Sequence, residues 1–167
     1  MDNQIYLIAQ LPPLRFGEPP EMSVDGFLKE AEKWLSESEW QLLQQIATDG
    51  IGTAVGPPST LEDLVLFERQ LRTEVGHWRR AQRENREYQP LGFESHLLAE
   101  GTPMEIEEKL MKLRWDFIDD LESEHHFDVE RVILHLCKLA IQQRLHGFDA
   151  EAGRSMFQTI TEVEVMS

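Results

Sequence analysis

Apolar residues recur along most of this chain at three- and four-residue intervals, the spacing that lines one face of an α-helix. Phe27, Leu28, Ala31 and Leu35 mark a first face, behind Ser23 as N-cap. Trp40, Leu43, Ile46 and Ala47 mark a second, opened by Ser36 and Glu39 as a capping box and closed by Asp49-Gly50. Leu64, Phe67, Leu71, Val75, Trp78 and Ala81 predict the longest helix, from about Leu61 to Tyr88. Ser59 with Glu62, or Thr60 with Asp63, would start it, and Pro90 and Gly92 would stop it. Beyond Ala81 the stripe lapses into Gln82 to Glu87, so the last turns are expected to project into solvent.

Further on, a short apolar piece around Leu97-Leu98 leads to Thr102-Pro103-Met104-Glu105. This is a strong start signal: an N-cap, proline at the first helical position and the reciprocal Glu. Ile106, Leu110, Leu113, Phe117 and Leu121 form the inner face that follows. Asp128 caps the next helix, which carries Val132, Ile133, Leu136, Leu139 and Ala140 and is expected to close at Gly147. Asp149 then opens a last helix with Met156, Phe157 and Ile160.

Three stretches depart from this period. Ile5 to Leu11 is apolar and ends on Pro12-Pro13, with Pro19-Pro20 soon after. A helix cannot cross Pro12-Pro13, because proline lacks the amide donor and crowds the preceding turn. The apolar side chains of this leader must be buried against the helical body or against another protein. Ile51 to Ser59, with Gly52, Gly56 and Pro57-Pro58, is a loop. Thr161 to Val165 alternates polar and apolar residues, as a short strand or a frayed end would. The prediction is an all-α helical bundle of about six helices with one long central helix, and short extended segments allowed at both ends. It is a single helical domain over 1–167, with 51–59 the best internal boundary.

Charge changes the picture more than composition does. Sixteen Lys and Arg against 31 Asp and Glu give a formal charge of −15. That excludes a general nucleic-acid binder, whose affinity comes from clustered cations, and disfavours docking on anionic lipid. The leader lacks the positive head of a secretory signal and is too short and proline-broken to span a bilayer. The expected location is therefore cytoplasmic, with no direct membrane insertion. The single Cys137 lies in an apolar helical run and reads as packing.

Candidate chemistry is sparse. Glu122-Ser123-Glu124-His125-His126-Phe127-Asp128 gathers imidazoles and carboxylates of the kind that ligate zinc. Adjacent His residues diverge, however, and no HExxH pair is present, so a solvated turn is favoured over a metal site. His135 and His146 are three turns apart, and His135 and Cys137 do not face each other on a helix. Gly50 to Gly56 is glycine-rich, but no Gly-Lys-Ser/Thr follows as in a phosphate loop. Arg69, Arg72, Arg79, Arg80, Arg83 and Arg86 concentrate positive charge on the long helix, interleaved with Glu68, Glu74, Glu84 and Glu87. They form either a solvated, salt-bridged face or a docking surface for an acidic partner, with Trp78 or Tyr88 as an aromatic anchor.

Tyr6-Leu7-Ile8-Ala9-Gln10-Leu11-Pro12, followed by Phe16-Gly17-Glu18-Pro19-Pro20, resembles the leader of an uncharacterised bacterial family encoded beside V-type (A/V-type) ATPase subunits. Phe127 to Glu130, Lys138 to Arg144 and Gly153 to Phe157 are similar as well. More distantly the pattern is like the helical C (or d) subunit that couples rotor stalk to membrane ring. The resemblance implies association with the ATPase, no cofactor, and no catalytic residue to carry over. The expectation is a non-enzymatic component, assembly factor or regulator, cytoplasmic and peripheral to the membrane through the ATPase. Tyr6, Leu7, Phe16, Trp78, Arg79 and Arg83 are the expected partner contacts. The alternatives are a small metal-dependent enzyme using Glu122, Glu124, His125 and His126, or a general helical adaptor.

Overall fold

The computed structural model of the chain describes residues 3–54, 58–126 and 128–166, and side chains as far as Phe148 except that of residue 53. Among the described residues the regular structure is all helical: α1 (Gln4–Gln10), α2 (Val24–Glu32), α3 (Glu37–Asp49), α4 (Glu62–Arg83), α5 (His96–Ala99), α6 (Pro103–Glu122) and α7 (Val129–Met166). Two 3₁₀ turns, Ile51–Thr53 and Ser59–Leu61, lie between α3 and α4.

Local chemistry sets most of these ends. Ser23 accepts from the Gly26 amide at 3.0 Å. Ser36 and Glu39 satisfy each other's amides, as do Thr102 and Glu105 ahead of Pro103, so two capping boxes open α3 and α6. Gly50, at φ 88°, ends α3 in a conformation that glycine adopts freely. Asp128 accepts from the Arg131 amide at 2.9 Å and starts α7.

Neither predicted box opens α4. Ser59–Leu61 winds as a 3₁₀ turn instead, and the Thr60 hydroxyl donates to Glu130 at 2.9 Å. The helix also stops before the predicted Tyr88. Asn85 takes the left-handed conformation (φ 54°), the Arg86 amide donates to the Ala81 carbonyl at 2.8 Å and the Asn85 amide to Gln82 at 3.3 Å. This is a Schellman stop with asparagine in the usual glycine position. Gln82 to Glu87 are exposed as expected, but the helix does not carry them outward, because the chain folds back along α4. Buried Glu74 accepts from the Tyr88 hydroxyl at 2.7 Å and the Leu91 amide at 3.0 Å. Those two donors, the Leu91 amide first, hold its carboxyl below the usual range.

The helix at the centre is α7, packed against α1, α2, α3 and α6. Val132 to Leu136 are buried one after another, which requires neighbours on every side of the helix. The main core joins Leu7, Phe27, Leu43, Leu61 and Trp115 to this segment. Residues from both sides of 51–59 enter it, although 55–57 themselves lie outside the described residues. A second cluster, Leu71, Val75, Leu98 and Leu110, holds the far half of α4 against α5 and α6.

Both ends, where short extended segments were allowed, are helical. In the leader, Leu7 is fully buried and Ile8 and Leu11 pack beside it, which is one face of a helical turn. Gln4 ties α1 to α3 by donating to Glu39 at 2.9 Å. α1 stops at Gln10, and Leu11 turns extended ahead of the proline pair. Gly147 does not close α7: Arg144 sits 5.2 Å from the Phe148 ring across it, and one interior glycine costs only about 1 kcal/mol. The backbone stays helical through 161–165, whereas the side chains of Met156, Phe157 and Ile160 lie outside the described residues.

Candidate functional site

A groove of about 370 Å³ runs between α3, α4, α6 and α7. Its floor is apolar, with Ile51, Leu64, Ile118, Leu136 and Ile141 among the lining residues. Two carboxylates, Glu68 and Glu107, also line it, and each meets two guanidinium groups. Glu68, buried on α4, takes a two-pronged contact from Arg114 of α6 at 2.8 and 3.1 Å. Arg72, one turn along α4, donates to the same carboxylate at 3.0 Å. Glu107 of α6 receives Arg79 at 3.7 Å and Arg144 of α7 at 3.8 Å. Gly52 allows the 3₁₀ turn to close over this region, since a Cβ there would meet Glu68 Cγ at 3.1 Å. Arg69 locks the approach by donating to the Gly52 carbonyl at 2.9 Å. Half-buried Cys137 lines the groove. Burial, and then the Glu68 carboxylate, push its thiol up to about 12, so it is protonated and unreactive at neutral pH.

A second cavity, about 430 Å³, lies where the strap Leu11 to Leu14 crosses α6 and α7. Buried Lys138 bonds there to Asp119 and, at 2.8 Å, to Glu122, and its ammonium sits 4.7 Å from the Trp115 ring. Arg131 is 3.5 Å from Glu122. His135 packs on Phe27 at 5.2 Å, and its pKa is lowered to about 4 by burial and then by Arg131 and Lys138. Every charge in this cluster has an opposite partner, as a structural ion network requires.

The 122–128 turn does not assemble the predicted ligands. Glu122 points inward to Lys138 and Arg131, while Glu124 and His126 are exposed. Buried His125 converges with Asp128 and Glu130 instead, their donor atoms lying within 4.8 Å of one another. Each has other work: His125 Nδ1 is 2.8 Å from Asp128 Oδ2, the other Asp128 oxygen caps α7, and Glu130 accepts from Thr60.

The predicted partner contacts divide into two groups. Leu7 is wholly in the core, out of reach of any partner. Phe16 is half-buried, edge-on to Trp115 at 5.6 Å and beneath the Lys112 ammonium at 5.1 Å. Trp78 packs on the second core cluster. Tyr6 is 53% exposed and stacked on Trp34 at 5.7 Å, and exposed Ile5 stands next to it in the chain. Arg79, Arg80 and Arg83 are all exposed, and among the described residues Arg80 and Arg83 make no ion pair. The six arginines are therefore not one surface. Arg69 and Arg72 bind inward, Arg86 pairs locally with Glu84 at 2.6 Å, and the others face out.

Residues 95–166, from just before α5 to the end of α7, match a family described as a protein of unknown function (DUF2764). No curated protein matches the chain, and no solved structure does. No helix among the described residues is long and apolar enough to cross a membrane.

Proposed function

We propose that the protein is a non-enzymatic docking component of a bacterial V-type ATPase, as a subunit, assembly factor or regulator. The observation that carries this is the outward row of Arg79, Arg80 and Arg83 on α4. On a chain of net charge −15, an exposed cationic row attracts an acidic protein surface. Arginine also gains more than lysine at interface centres, through its planar fork. Exposed Tyr6 supplies an aromatic contact of the kind interfaces favour. The ATPase as partner rests on the resemblance of the leader and of the late α7 segment. Native purification of the tagged chain tests it: peripheral or stalk subunits should co-purify, and recovery of the free chain alone, with the ATPase fully assembled in its absence, would contradict it.

A metal-dependent enzyme, the second reading, would have to be built on His125, Asp128 and Glu130, the set that converges. Stoichiometric metal in untagged protein would favour it.

A further inference from the structure

We infer that the groove between α3, α4, α6 and α7 is a binding site for a small amphipathic carboxylate, such as a medium-chain fatty acid. Charge and shape argue for this separately. Glu68 meets Arg72 and Arg114, and Glu107 meets Arg144, so three cations and two anions line the groove. On a chain of net charge −15, that local excess of positive charge attracts an anion. Glu68 is committed to a two-pronged bond, whereas the contacts to Glu107 are long, which leaves the exposed Arg144 guanidinium able to turn to a ligand. A guanidinium binds a carboxylate through two parallel N–H donors, more specifically than a point charge does.

The rest of the groove is apolar, and about 370 Å³ lies within the range of small-molecule sites, roughly 300–1,000 Å³. Ile51, Ile118, Leu136 and Ile141 would contact the hydrocarbon chain while the carboxylate stays at the arginines. The protonated Cys137 thiol adds a soft apolar wall with no competing charge.

Calorimetric titration of the full chain tests this, using decanoate, decanol and decyltrimethylammonium below their micelle-forming concentrations. Decanoate should saturate a single site, at least about tenfold tighter than decanol, and the cation should not bind. Arg144→Glu should weaken decanoate about tenfold or more, and Ala140→Trp, at an exposed lining position, should abolish binding. Methyl NMR shifts should centre on Ile51, Ile118, Leu136 and Ile141. Equal affinity for decanoate and decanol would overturn the inference. So would shifts centred elsewhere, or unchanged decanoate binding by a folded Arg144→Glu protein.

Discussion

Replacing Glu68 by Met should be among the most damaging changes to this fold, because the damage falls on the partner left behind. The Glu68 side chain is 8% exposed and that of Arg114 is 19% exposed, and the two are joined by a pair of bonds at 2.8 and 3.1 Å. Removing the carboxylate leaves a largely desolvated guanidinium without its counter-charge. Breaking such a buried pair costs about 3–5 kcal/mol. Arg114 keeps some access to water through the groove, so the lower end, about 3 kcal/mol, is expected. Arg72 is half-exposed and adds at most about 1 kcal/mol. Urea unfolding should show a lower midpoint at unchanged slope, and the thermal midpoint should fall by about 6–12 °C. The double variant Glu68→Met, Arg114→Met should recover most of the loss, giving a coupling of about 2 kcal/mol or more. A single variant losing under about 1 kcal/mol, or a double variant as unstable as the single, would mean that Glu68 does not neutralise a buried Arg114.

Three further outcomes follow from the same structure. Leu7→Ala should cost about 2–5 kcal/mol and Tyr6→Ala under about 1 kcal/mol in the same urea assay, since the first side chain is fully buried and the second is half-exposed. Asn85→Ala should cost about 1 kcal/mol while Asn85→Gly should be neutral or stabilising, because the left-handed conformation strains alanine and suits glycine. Folded His135 stays neutral down to about pH 4, whereas the unfolded imidazole takes a proton near its ordinary 6.5. Its contribution is therefore complete above about pH 6.5 and is lost as pH falls to about 4, by up to about 3 kcal/mol; urea midpoints of His135→Leu measured across that window should show a correspondingly shallower decline.

Elements whose ends are fixed by neighbouring residues were legible in the sequence. Ser23, Ser36 with Glu39, Thr102 with Glu105, and Asp128 each cap the helix predicted for them, because a cap acts over three residues. The start of α4 escaped this logic when Thr60 bonded to Glu130, 70 positions away. Its end was readable in principle from Asn85, the commonest substitute for glycine at a helix stop. Gly147 was misleading because a helix tolerates an interior glycine at a cost of about 1 kcal/mol, and α7 runs on through it. The leader's helix required knowing that α7 offers a surface for Leu7 rather than a strand edge. The candidate site was the least legible part. Glu68 with Arg114, and Lys138 with Asp119 and Glu122, join residues whose separation along the chain hides the pairing. The one local signal was a charge set inside an apolar stripe, Glu68 beside Phe67 and Lys138 within Val132 to Ala140, since such a charge must find a partner when the stripe is buried.

We propose that the arginine row of α4 grips the ATPase. It is tested most directly by purifying tagged wild-type chain and the charge-reversed Arg79→Glu, Arg80→Glu, Arg83→Glu variant from native cells, and quantifying ATPase subunits in each. All three side chains are exposed, so the variant should fold with a thermal midpoint close to wild type. Stalk or peripheral subunits should accompany the wild type and fall by about tenfold or more with the variant. Equal recovery with both proteins, or no ATPase subunit with either, would contradict it.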